Sequence, residues 1–228
     1  MPERLPARHP PAVFSWSSGK DSAYALWRLR EEGSFEVRSL LTTVTDAYER
    51  VSMHGVREEL LDRQAAALGL PVVKVRIPPS CSQELYEERM AETLESPELR
   101  DIQHFAFADI YLADLRAYRE RKLAEAGRKG VFPIWGAATH ELARRVIASG
   151  FRAIVVSVDP SKLDASFAGR SYDESLLDDL PAGVDPCGEN GEFHTFVSDG
   201  PIFSAPIGCT TGEVVTRGGY VFCDVVPA

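Results

Sequence analysis

Apolar residues recur along the chain in two alternating rhythms. Short continuous runs at 13–16, 37–44 and 72–77 are each followed by a stretch in which apolar residues return every three or four positions, at 22–32, 56–68 and 83–94. These are the signatures of a buried strand and of an amphipathic helix. In the second helix Val56, Leu60, Leu61, Ala65 and Leu68 fall on one face, while Arg57, Glu58, Asp62 and Arg63 fall largely on the other. Gly69 and Pro71 end it. Strand then helix, repeated, predicts a parallel sheet covered by helices on both faces. A further strand is expected at 104–108, a long helix from just after Asp109 to about 126, and a strand at 131–135.

Beyond Gly136 the texture changes. A helix at 139–149 and a strand at 153–158 precede a long stretch rich in Gly, Asp and Pro, and EVVTRGGYVFCDVV then reads as a hairpin turning at Gly218 and Gly219. The pattern predicts an α/β fold of two units: a nucleotide-sized domain at 12–137 with a parallel sheet flanked by helices, and a smaller α+β, substrate-facing domain at 138–228. The first twelve residues read as a proline-stiffened tail with no apolar core of the kind a signal peptide requires.

Composition narrows the function. The chain has 228 residues and a net charge of −9, so its overall field repels nucleic acid and anionic membrane, and neither is expected as a partner. No apolar run is long enough to span a bilayer. The four cysteines show no C-x-x-C spacing, which argues against a zinc knuckle or a disulfide framework and for a reducing, cytoplasmic setting. Self-association into a homo-oligomer stays open.

Two stretches carry chemistry. The first, FSWSSGKDSAY at 14–24, runs from strand to helix through a turn of small residues. A helix N-terminus presents unpaired N–H groups and partial positive charge, so such a turn is a phosphate site. Ser17, Ser18 and Ser22 offer hydroxyl donors, Gly19 permits close approach, and Lys20 adds a point charge. The Walker pattern fails, because Phe14 stands where its first glycine belongs and Asp21 follows the lysine; no G-x-G-x-x-G is present either.

The second stretch, CGENGEFHTFV at 187–197, concentrates Glu189, Glu192 and His194 between glycines. If 192–196 is extended, Glu192, His194 and Phe196 share one face, and Phe193 and Thr195 the other. A carboxylate beside an imidazole can orient an amine and take its proton. The plainer reading is a polar hairpin with one satisfied histidine. By position at the ends of expected strands, His54 and Asp109 fall near the crevice where α/β sheets bind nucleotides.

Ser17, Gly19, Lys20, Asp21 and Ser22 match the S-G-G-x-D-S loop of the N-type ATP pyrophosphatases, with Ser18 where Gly is commoner. Together with VSMHGVREELLDRQAAALGLP, FAFADIYL, PIWG, SKLDASFAGRSYD and DPCGENGEFHTFV, the chain resembles the diphthamide synthetase (diphthine–ammonia ligase) ATP-binding domain family from about residue 13 to 203. The last motif commonly ends E-F-E-T in that family. Here it ends E-F-H-T, which resembles a bacterial sister subgroup and leaves the carboxylate substrate open.

The resemblance implies an adenine nucleotide alpha hydrolase-like fold, ATP and Mg²⁺, and amide formation through an acyl-adenylate with ammonia or an amine as nucleophile. It implies that Ser17, Ser18, Gly19, Lys20 and Ser22 hold pyrophosphate, and that Asp21 orders the turn or helps hold Mg²⁺. Lys162 and Arg170 would steady negative charge on ATP or substrate, and Lys20, Asp21, Glu189, Glu192 and His194 would be the catalytic set. Trp16 and Trp135 read as core or adenine wall, and Cys187 as structural. Genuine diphthamide synthesis on elongation factor 2 and a non-catalytic nucleotide-binding module are the alternatives.

Overall fold

The computed structural model describes residues 9–228. Of the expected tail, residues 1–8 lie outside that range, and Pro11 and Ala12 already belong to the first strand. Strand β1 (Pro11–Ser15) opens with the proline, at the end position where a missing N–H is tolerated. Its Ala12, Val13 and Phe14 are fully buried.

The rest of the first sheet follows the predicted rhythm: α1 (Lys20–Glu32), β2 (Glu36–Thr45), a short β3 (Arg50–Val51), α2 (Glu58–Leu68), β4 (Val72–Ile77), α3 (Gln83–Leu94), β5 (His104–Ala106), α4 (Ala113–Glu125) and β6 (Lys129–Val131). The parallel strands lie in the order β4-β2-β1-β5-β6, and β3 runs antiparallel beside the end of β2. Strand order therefore reverses at β1. The crevice beyond the carboxyl ends of β1 and β5 is where a sheet of this kind takes its ligand.

Alternation along the strands separates two cores. Phe14, Leu40 and Ala106 face α1, α2 and α5 (Thr139–Ala148); Val13, Leu41, Val75 and Phe105 face Leu94 of α3 and Leu123 of α4. Two strands end earlier than expected. Beyond β6, Phe132 and Pro133 enter a turn closed by the Trp135 amide on the Phe132 carbonyl, because a proline nitrogen cannot extend the ladder. Residues 107–109 leave β5 to line the crevice.

The second sheet is antiparallel, in the order β8 (Phe193–Asp199), β7 (Arg152–Val158), β10 (Tyr220–Pro227), β9 (Cys209–Arg217). The β9–β10 hairpin turns at Gly218 and Gly219, both with positive φ, and the stretch between β7 and β8 holds a 3-10 turn (Ala165–Phe167) and one short α-helix, α6 (Glu174–Asp179). The larger core continues from Phe14 and Leu26 into Val156, Phe193 and Phe196, so apolar burial joins the sheets.

A polar stitch adds to it. Buried Gln64 on α2 accepts from Trp16 Nε1 (3.0 Å) and donates to the carbonyls of Ser18 (3.2 Å) and Val197 (2.6 Å). Trp16 is thereby a core residue. Among the described residues no helix is long and apolar enough to cross a membrane.

Candidate active site

The chain leaves β1 at Ser15 and enters α1 at Lys20 through a turn bound to the second sheet. The Val197 amide donates to the Ser18 carbonyl (2.9 Å) and the Lys20 amide to Thr195 Oγ1 (3.1 Å). Gly19 is the N-cap, in an extended conformation and with no side chain of its own, so the cap of the first amide comes from Thr195 of the second sheet. Inside the turn Ser17 Oγ and Ser22 Oγ are 2.9 Å apart, and the Gly19 amide donates to Ser17 Oγ (3.3 Å).

Ser18 is the strained member of the turn. Its φ is 70°, in the left-handed region, and its buried hydroxyl has no hydrogen-bond partner. Left-handed backbone costs a non-glycine residue roughly 1–2 kcal/mol, and the orphaned hydroxyl adds to that. Ser18→Gly is expected to stabilise the fold by about 1 kcal/mol after the larger unfolded-state entropy of glycine is subtracted. Urea unfolding of the two proteins checks it, and an unchanged midpoint would contradict the strain.

A cavity of about 220 Å³ opens at the turn. From the turn and α1 come Ser15, Ser17, Lys20, Asp21 and Ser22; from the loop after β5 come Phe107, Ala108 and Asp109. His54, Arg119, Glu189, His194 and Thr195 complete the polar lining. Gly19 is required less by a ligand than by the fold here. A Cβ on it would lie 3.0 Å from His54 Cε1 and 3.1 Å from the Thr195 carbonyl oxygen.

The cavity's cations are internally engaged. Lys20 is 1% exposed; its Nζ contacts Asp21 Oδ2 at 2.9 Å, donates to the Cys187 carbonyl at 2.6 Å, and lies over the rings of Tyr172 and Phe193. Burial alone would lower this ammonium, but Asp21, Cys187 and Asp185 outweigh it and the net shift is upward. Lys20 thus clamps the 185–192 loop against α1. Arg119 on α4 forms an ion pair with Asp109 at 2.8 Å and stacks over Phe107. Asp109 does not cap α4, whose N-cap is Leu112.

The carboxylates differ in state. Glu189 Oε1 accepts from the amides of Ile110 (2.7 Å) and Tyr111 (3.4 Å). Burial, reinforced by the charges of Asp21 and Asp109 and opposed by those amides, pushes Glu189 up to about 7. Burial likewise raises Asp109, against the pull of Arg119. Asp21 keeps Oδ1 without a hydrogen-bond partner.

The imidazoles of His54 and His194 stack at 4.5 Å with 29° between planes, and His54 Nδ1 lies 3.1 Å from the Thr195 carbonyl. Burial lowers both rings: His54 falls well below the ordinary imidazole range, further depressed by His194 and Lys20, and His194 falls to about 4, further depressed by Lys20 and Lys162. Both are neutral at physiological pH.

Ser18, though part of the turn, is fully buried and does not line the cavity, and three further expected residues lie elsewhere. Glu192 precedes β8 and is buried beneath the loop, where Oε1 accepts from the Asp185 amide (3.1 Å) and Asn190 Nδ2 (3.0 Å). Glu192 thus braces the loop, and the partner stacked on His194 is a histidine instead of a carboxylate. Lys162 donates to the Asn190 carbonyl (2.9 Å) and pairs with Asp159. Arg170 pairs with Asp179 on α6 (2.7 Å) and stacks over Phe167. Burial pushes the Cys187 thiol up, so its carbonyl is the functional part.

Arg119 and Thr195 were not singled out in the sequence. Arg119 is one cation in a helix of alternating charges, and Thr195 offered only its place in the E-F-H-T motif. A second, more apolar cavity of about 430 Å³ lies between α3 and α4; Ser15, Phe107 and Arg119 form the wall it shares with the first.

Comparison with known proteins finds relatives over most of the chain. The profile of the diphthamide synthase N-terminal domain matches residues 11–130, and that of the diphthamide synthase C-terminal domain matches residues 138–225. A rat protein named diphthine–ammonia ligase is 25% identical over 92% of this chain and 86% of its own length. The human protein of that name is 26% identical over the same shares. A solved structure described as a predicted subunit of a tRNA methyltransferase from Methanocaldococcus jannaschii aligns with a TM-score of 0.40 and 16% identity, covering 82% of this chain and 96% of its own. The N-terminal profile alone covers more than half of the residues, and the chain belongs to the diphthamide synthase family.

Proposed function

We propose that this protein is an ATP-dependent ligase that forms AMP and pyrophosphate while joining ammonia or an amine to a carboxyl group. The observation that carries the reading is a single cavity with the N-terminus of α1 and its serine-lined turn on one side and Glu189, poised at about 7, on the other. Such a cavity serves both halves of the reaction. Substrate carboxylate attacks the α-phosphorus, and the pyrophosphate that leaves is held by helix N–H groups and by Ser17 and Ser22. The nitrogen then attacks the acyl carbon, AMP departs, and the proton lost from nitrogen passes to Glu189.

Arg119, on the wall between the cavities, steadies charge on the phosphates, and the apolar cavity takes the adenosine. On this reading residues 12–137 bind nucleotide and residues 138–228 supply Glu189 and the substrate side.

Mg²⁺ fits in a limited way. Among the described residues no cluster of three or more ligating side chains is built for a metal, but ATP-borne Mg²⁺ takes only one or two protein carboxylates. Asp21, with Oδ1 unpartnered, would hold it. Bound there, Mg²⁺ supplies charge neutralisation at the phosphates.

Four free cysteines fit a reducing cytoplasm. The names of the rat and human relatives favour diphthine as the carboxylate and ammonia as the nitrogen source, whereas His194 in place of the second acid of E-F-E-T favours a different carboxylate.

The test is isotope exchange between pyrophosphate and ATP across a panel of carboxylates. Exchange is expected with the cognate acid alone, and Ser22→Ala is expected to lower it about 10²-fold, the scale of losing one stabilising donor. ADP in place of AMP, or exchange untouched by Ser22→Ala, would refute the assignment of the turn. Tight ATP binding without exchange for any acid would favour a nucleotide-binding module.

A further inference from the structure

The phosphate turn has an unmet charge requirement. A polyphosphate brings several negative charges to a cavity that already holds Asp21, Asp109 and Glu189. Its two permanent cations are engaged: Lys20 by Asp21 and the Cys187 carbonyl, Arg119 by Asp109. Mg²⁺ carried by the nucleotide offsets part of the excess. A further positive charge on the protein side would offset more of it when the phosphates arrive.

The groups placed to provide it pack on the turn itself. His54 Cε1 lies 3.0 Å from where a Gly19 Cβ would be. A carbonyl oxygen only accepts, so the contact of His54 Nδ1 with Thr195 O puts the ring's proton on Nδ1 and leaves Nε2 with a free lone pair. His194 stacks on that ring. Once one ring is charged, the neutral face of the other supports it, while two charges at this separation repel; the stack therefore accepts one proton.

Without a bound anion, burial outweighs what favours that proton, which at His54 is the hydrogen bond to the Thr195 carbonyl. Lys20 from α1 and Lys162 from the loop after β7 also oppose the proton, and Glu192 alone among nearby carboxylates favours it at His194. Glu192 Oε1 is meanwhile committed to the Asp185 amide and Asn190. An anion within hydrogen-bonding reach reverses the balance, since opposite charge at about 4–6 Å shifts a group by about 1–3 pH units.

We propose that His54 and His194 together form a proton-charged cation for the phosphate site: neutral while the turn is empty, and taking up one proton from solvent when pyrophosphate or the ATP polyphosphate lies against Gly19. This rests on the reading of the turn as a phosphate site, and it assigns the pair to phosphate binding and its pH dependence.

Calorimetric titration of the full chain with magnesium pyrophosphate, in buffers of low and high ionisation enthalpy near pH 6, where a ring raised from about 4 by about 3 pH units is protonated and Glu189 already carries its proton, measures the protons exchanged on binding. The ligand's own protons are common to all variants and drop out of differences. Wild type is expected to take up about one proton more than the His54→Gln/His194→Gln double variant, which binds roughly tenfold more weakly. Glu189→Gln is expected to keep the uptake, which separates the imidazoles from the nearby carboxyl. Should the double variant be unstable, the ring resonances of His54 and His194 in the wild-type protein answer the same question, moving to imidazolium positions on adding pyrophosphate. Equal uptake in wild type and double variant, or rings that stay neutral in the complex, would overturn the inference and leave the turn assignment standing. No binding of pyrophosphate or ATP would overturn both.

Discussion

Lys20→Met is expected to destabilise the fold by about 3 kcal/mol, within the range for removing one partner of a buried ion pair, and to abolish both half-reactions. The ammonium is 1% exposed and ties three things together: Asp21, the Cys187 carbonyl and the faces of Tyr172 and Phe193. Methionine fills much the same volume, so the loss reports charge and hydrogen bonds more than packing. With the clamp gone the 185–192 loop is no longer held to α1, and Glu189 moves with it. Because the Lys20 pKa is raised in the folded state, its contribution is complete below the unfolded value of about 10.5 and is lost only as pH rises through the higher folded value. The deficit should therefore be flat across neutral pH on this account. Urea unfolding and pyrophosphate exchange on one preparation test it. A variant as stable as wild type but inactive would mean that Lys20 acts directly on phosphate.

Glu189→Gln should divide the reaction instead of abolishing it. Pyrophosphate exchange is expected to persist, because adenylation needs no proton acceptor, while amide formation falls about 10²–10⁴-fold, the usual worth of a general base. In wild type the amide-forming rate should climb with pH through about 7, where Glu189 becomes a carboxylate, and that limb should disappear in the variant. Stability should move the opposite way. A carboxyl raised from 4.5 to about 7 binds its proton more tightly when folded, so its stabilisation is full below the lower value and lost as pH rises through the upper one. Above that window Glu189→Gln should be more stable than wild type. Loss of exchange in Glu189→Gln, or an unchanged pH limb, would remove Glu189 from the role of base.

The strand–turn–helix element at 11–32 was legible in the chain because every feature it needs is local: an apolar run, small residues around Gly19, then helical periodicity. The same holds for the alternation of strands and helices, since periods of two and 3.6 residues are written into neighbouring positions. Glu189 and Glu192 were not separable that way. They share a loop, a charge and a flanking glycine each, yet one faces the cavity and the other braces the loop from beneath. Lys162 and Arg170 looked like ligand cations and proved to hold an adjacent loop and a neighbouring short helix, because a cation in a polar loop settles on the nearest acceptor the fold offers.

By its own order of residues, the chain specified the parallel α/β sheet, the strand–turn–helix element that we propose holds phosphate, and the family to which the chain belongs. Only tertiary structure decided that Lys20 points inward, that Arg119 reaches the cavity, and that His54 meets His194 on the face of Gly19. Those outcomes depend on contacts between segments far apart in sequence, set by the reversal of strand order at β1 and by the docking of β8 against α1, and no local pattern encodes which side chain a distant strand will bring.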